Sequence, residues 1–163
     1  MQFFIQKKVL AMVPEKILNY KNEKVIKRFI NYYEISVEEA EKIFEQMKLF
    51  LFVSNEYFKE TGKRIRVVDE LFVIDEMWHY FILFTEDYYN FCHDMFNSFY
   101  HHIPTVNRQS GISISELRLQ MEYIQNKLGF EILNLWYSIF SKEYSALRMY
   151  QRYIVQTELQ EVQ

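Results

Sequence analysis

Three glycines and two prolines in 163 residues leave this chain few places to turn sharply. Sandwiches and barrels need a turn roughly every 8–12 residues, and the nucleotide-binding α/β folds need a glycine-rich phosphate loop. Neither can be built from this sequence, so an all-α architecture remains. Half of the residues are hydrophobic and 18% are aromatic, with 15 Phe and 13 Tyr, which excludes the disordered and collagen-like classes. A chain of this length can bury one sizeable core but not two of ordinary size. The expectation is a single compact helical domain of five to seven helices over residues 1–163.

The net charge of −3 conceals an uneven distribution. Residues 1–68 carry 13 Lys and Arg against 9 Asp and Glu, while residues 69–107 carry seven acids, no Lys or Arg, all four histidines and the only cysteine. A stretch of that composition attracts cations and repels phosphates, so no nucleic-acid partner is expected. The basic residues of the first third alternate with Glu, as on a solvated helix face. A single cysteine, Cys92, cannot close an internal disulfide, and the N-terminus lacks a cationic lead followed by an apolar stretch and a cleavage site. Both point to a cytoplasmic protein, and the lack of an apolar run of about 18 residues argues against a membrane span.

Pro14-Glu15 reads as the first turn of a helix carrying Ile17, Leu18, Val25, Ile26, Phe29 and Ile30 at helical spacing and ending near Tyr33. Ser36 and Glu39 form a capping box before a long helix through Ile43, Phe44, Met47, Phe50, Leu51 and Tyr57, which Thr61-Gly62 ends. After a short extended stretch at 65–68, a helix is expected through residue 84. Thr85 is the expected N-cap of another that runs from 86 to about 96. Val106 to Gly111 is the expected exposed loop. A second capping box, Ser113 with Glu116, opens a helix that Gly129 closes, and a last helical segment or pair should cover Phe130 to about Leu159. The final Gln-Glu-Val-Gln is expected to fray.

Chemistry concentrates in the acidic stretch. On a helix, Asp75 and Glu76 lie four and three residues before His79 and share its face, where a carboxylate can either ligate a metal beside the imidazole or orient it by accepting its second N–H. Glu76-Met77-Trp78-His79 also spells the E-x-x-H unit of di-iron bundles, but a bundle of that kind needs a second unit and none exists here. Cys92, His101 and His102 follow, and a thiolate with imidazoles is a set that zinc, and also iron, accepts. Adjacent His93 points about 100° away from Cys92, so the two are no nucleophile–base pair. The competing reading of the same residues is structural, with His79 hydrogen-bonded on a half-buried helix face, Cys92 a small core residue, and His101-His102 at a surface turn.

The segment 68–104, 37 of the 163 residues, resembles the motif block of the glycine-rich domain-containing protein-like family. The block consists of an acid before Trp-His, then Phe-Ile-Leu-x-Thr-x-x-Tyr-x-x-Phe-Cys, then His-His-x-Pro. The matching residues are Asp75, Trp78-His79, Phe81-Ile82-Leu83, Thr85, Tyr88, Phe91-Cys92 and His101-His102 with Pro104. Asn97-Ser98 stands where that family has a glycine, and the glycine-rich region itself has no counterpart here. The resemblance implies a helical domain in which the Trp-His, Cys and His residues recur as a unit.

Together these observations predict a zinc or iron site with ligands drawn from His79, Cys92, His101 and His102, and with Asp75 as ligand or outer partner. Trp78, one residue before His79, should turn toward the core. The alternative is an interaction module without metal that uses an exposed aromatic surface for a protein or peptide partner. The aromatic doublets Tyr32-Tyr33, Tyr80-Phe81, Tyr88-Tyr89, Phe99-Tyr100 and Trp136-Tyr137 would supply either that surface or the core.

Overall fold

A helix that is buried on every side must lie at the centre of its fold. In the computed structural model, which describes residues 12–104 and 111–161 with side chains through 153, that position is held by a 25-residue helix, Val37–Thr61, in which every residue from Met47 to Asn55 is buried. Preceding it are α1 (Glu15–Asn19) and α2 (Glu23–Ile30), so the central helix is α3. A single turn of 3-10 helix at Asp69–Leu71 leads into α4 (Phe72–Leu83) and α5 (Thr85–Phe96). Then come α6 (Ile114–Leu128) and α7 (Phe130–Asn134), which continues through a π-helical segment, Leu135–Phe140, into α8 (Ser141–Glu143) and then α9 (Ala146–Glu161). The fold is all-α, with no strand among the described residues. Around α3 pack α1, α2, α4 and α6, and α4 also touches α2, α5 and α9.

Both capping boxes form as their sequences dictate. Ser36 and Ser113 accept from the backbone N–H of Glu39 and Glu116, whose carboxylates reach back to the cap. Gly62 ends α3 at φ 71°, a left-handed conformation that glycine adopts without strain. Asn97 takes the same region at φ 58°, because its short amide tolerates that conformation better than other side chains do.

Two expectations are corrected. The helix expected from Pro14 to Tyr33 is two, broken at Tyr20-Lys21. There the side chain of Asn22 caps α2 by accepting from Val25 N–H at 3.2 Å, and the Lys48 ammonium donates to the carbonyls of Leu18 at 2.9 Å and Tyr20 at 2.7 Å. Thr85 is the first residue of α5 rather than its cap, since the chain turns within the single residue Phe84 and leaves no room for a capping residue. The last helical stretch, expected as one segment or a pair, is divided at Tyr144-Ser145, where buried Tyr144 donates its hydroxyl to Glu39 at 3.0 Å. Most of the loop expected at 106–111 lies outside the described residues, as do the last two of the four residues expected to fray, whereas Gln160 and Glu161 are still helical.

Lys48 is fully buried and its only carboxylate partner among the described residues is Glu45 at 2.9 Å, so burial pulls its pKa down while Glu45 opposes. Lys48→Met would leave two carbonyls without their donor. The expected loss of stability is about 2–4 kcal/mol, read as a lower urea midpoint at unchanged slope.

Neighbouring helical side chains diverge by about 100°, which explains the doublets that lie in helices, Tyr80-Phe81, Tyr88-Tyr89 and Trp136-Tyr137, while Tyr32-Tyr33 and Phe99-Tyr100 sit just outside helices and split the same way. Tyr33, Phe81, Tyr88, Tyr100 and Trp136 are buried, whereas their partners Tyr32, Tyr80, Tyr89, Phe99 and Tyr137 are half-buried or exposed. No described helix is long and apolar enough to cross a membrane.

Candidate metal centre

The rise of α4 stacks Asp75, Glu76 and His79 one turn apart, and Trp78 lies on the adjoining inward face. Trp78 is buried. Its indole packs on Phe50 at 6.1 Å and Tyr100 at 5.9 Å, and its N–H donates to the Tyr88 hydroxyl at 3.0 Å. That hydroxyl in turn donates to the Tyr100 carbonyl. One chain of hydrogen bonds therefore ties α4 and α5 to the segment that returns after the turn at Asn97.

The returning segment delivers His102 onto α4. The His102 ring lies 4.3 Å from the Trp78 ring and 4.5 Å from the His79 ring, and its Nε2 is 2.8 Å from Asp75 Oδ1. The other oxygen of the same carboxylate, Oδ2, is 3.8 Å from His79 Nδ1. One ligand atom from each of Asp75, His79 and His102 falls within 4.8 Å of the others. Metal bonds of about 2.0–2.2 Å put neighbouring ligand atoms about 3.4 Å apart in a tetrahedral site, so atoms within 4.8 Å of one another need close by no more than about 1.4 Å to share one ion. Glu76 flanks the cluster, with Oε2 at 3.7 Å from the same His79 Nδ1 and Oε1 accepting from the Tyr33 hydroxyl at 2.6 Å. The Glu76 carboxylate raises the His79 pKa above its ordinary value, partial burial opposes it, and the Asp75 charge adds to the rise.

The remaining sequence candidates lie elsewhere. Cys92 is fully buried, and its thiol contacts the Tyr88 hydroxyl and the Tyr100 backbone rather than either histidine. Burial pushes the thiol pKa up, the reverse of what a thiolate ligand or nucleophile requires. His101 is exposed against Phe99 at 4.7 Å, and His93 is exposed against Tyr89 at 4.2 Å. Consecutive residues of an extended segment project to opposite sides, so only one member of the His101-His102 pair can reach α4.

Arg64 is a contributor that pattern and spacing do not reveal. Its guanidinium lies over the rings of Phe58 at 4.6 Å and Tyr100 at 5.0 Å, and it donates to the His101 carbonyl at 3.1 Å. It thereby holds the peptide next to His102. The cluster opens into a cleft of about 660 Å³ between the irregular stretch 64–69, α4 and the segment 100–104.

No curated protein and no solved structure matches this chain. A family model described as UCP032817-like matches residues 12–126, a span that runs from before α1 into α6 and contains Arg64 and all three clustered side chains, and the chain belongs to that UCP032817-like family.

Proposed function

We propose that this protein binds one transition-metal ion, zinc or iron, through Asp75, His79 and His102, with its open coordination positions facing the cleft. The observation that carries this reading is the single carboxylate with each of its two oxygens turned toward a different imidazole. Two imidazoles and one carboxylate form a set used by catalytic zinc and by mononuclear non-haem iron. Three protein ligands leave room for water or a substrate oxygen, which the ion would acidify or polarise. Glu76, steadied by Tyr33, places a second carboxylate beside the same His79 Nδ1 that faces Asp75, adding negative charge next to the ion. The resemblance of residues 68–104 to the glycine-rich domain-containing protein-like block supports the reading, because all three ligands belong to that block.

Elemental analysis of untagged protein tests it. One equivalent of zinc or iron per chain is expected, and a chain that retains neither after incubation with both would refute the site. The pH dependence supplies a second check. Metal requires neutral imidazole, so with the His79 pKa raised the affinity is full above that pKa and falls as pH drops through it, by about tenfold per unit while one proton is displaced. Glu76→Gln removes the main cause of the rise and should move the onset of that fall to lower pH. An unmoved onset would show that Glu76 does not act on His79.

A further inference from the structure

We infer that the cleft above the metal site receives a small organic anion with an aromatic or planar apolar body, its acidic group held between the bound ion and the arginines Arg64 and Arg66. This inference rests on the metal reading above and adds the class of ligand.

Charge is the first argument. The cleft is lined by two arginines, Arg64 and Arg66, and two acids, Asp69 and Asp75. Alone these cancel and Glu76 beside His79 adds one more negative charge, but a divalent ion still leaves an excess of one positive charge in a partly enclosed space, where a site is worth more to an anion than in open water. The arginines are also notable because the opposite wall, drawn from residues 69–104, contains no Lys or Arg. They come to the site from the irregular stretch before α4.

Preorganisation is the second argument. Arg64 is already fixed by the Phe58 and Tyr100 rings and by the His101 carbonyl, so little side-chain entropy remains to be lost when it engages an acid. Shape is the third. A volume of about 660 Å³ suits a small molecule, and Phe72 and the edges of Trp78 and Tyr100 supply apolar wall. The rim carries Val67 and Ile103, large apolar side chains that stand 37% and 64% exposed. A bare inorganic ion would leave that apolar lining unused.

The test uses the full chain loaded with Co²⁺, whose visible absorption reports changes at the metal, titrated with benzoate and with its neutral analogue benzamide. Benzoate should perturb the cobalt bands and bind about tenfold or more tighter than benzamide, as expected for charge-assisted hydrogen bonds. It should bind the metal-free chain more weakly by a similar factor. Arg64→Gln and Arg66→Gln should each weaken benzoate about tenfold, with benzamide unchanged. Because Arg64 also steadies the segment bearing His102, cobalt stoichiometry is measured on each variant, and Arg66→Gln decides if Arg64→Gln loses metal. Equal binding of benzoate and benzamide, or benzoate indifferent to Arg66→Gln, would overturn the inference. Benzoate silent toward a cobalt-loaded chain refutes the anion alone, whereas a chain that develops no cobalt bands refutes the metal site.

Discussion

Trp78→Ala is expected to lower the free energy of unfolding by about 3–5 kcal/mol, a large share of what a domain of this size possesses. The indole is 4% exposed and wedged among Phe50, Tyr100 and His102, so truncation leaves a cavity where α4 meets α3 and the returning segment. It also removes the N–H that anchors the Tyr88 hydroxyl, the link through which α5 and Tyr100 are joined to α4. His79→Ala provides the contrast. Its side chain is about half exposed, at 48%, so losing it costs the metal-free fold far less. Denaturant midpoints of the two metal-free variants separate the roles. A nearly neutral Trp78→Ala would mean that the ring does not brace the helix, and would leave the placement of His102 without its main support.

The second large effect concerns the ion. His79→Ala and His102→Ala should each weaken metal binding by about a hundredfold or more, since loss of an outer partner alone typically costs 10–100-fold. Asp75→Asn should act similarly, because one carboxylate faces both imidazoles. Cys92→Ala, His93→Ala and His101→Ala should retain stoichiometric metal, since none of these side chains belongs to the cluster. Equilibrium dialysis with metal analysis measures all six. Metal kept by both His79→Ala and His102→Ala, or lost in Cys92→Ala, would sink the proposed ligand set.

The contrast between His102 and Cys92 shows where sequence reasoning stops. Cys92 falls within the motif and has the right chemistry for a soft ligand, yet α5 turns it into the core beside Tyr88. The inward face of α5 also carries Phe91 and Phe96, and a small thiol fits that face as readily as it fits a metal. Residue type alone could not separate the two. The split of the first helix has the same origin. Its apolar positions continue smoothly from Ile17 to Ile30, and the cause of the break is an ammonium group on α3, 28 residues beyond Tyr20.

What the sequence by itself determined is local and follows from backbone geometry. The scarcity of glycine and proline committed the chain to helices. Ser36, Gly62 and Ser113 marked helix ends because their side chains, or lack of one, satisfy terminal backbone groups within a few residues. The 100° step of the helix set Asp75, Glu76 and His79 on one face and turned Trp78 away from it. Only the tertiary structure decided which distant imidazole would meet that face. The choice of His102 depends on the left-handed turn at Asn97, the Tyr88 bond to the Tyr100 carbonyl, the Trp78 ring beneath the histidine and the grip of Arg64 on the His101 carbonyl. Each joins residues far apart along the chain, and such contacts are set by packing and hydrogen bonding across elements, which no spacing in the sequence encodes.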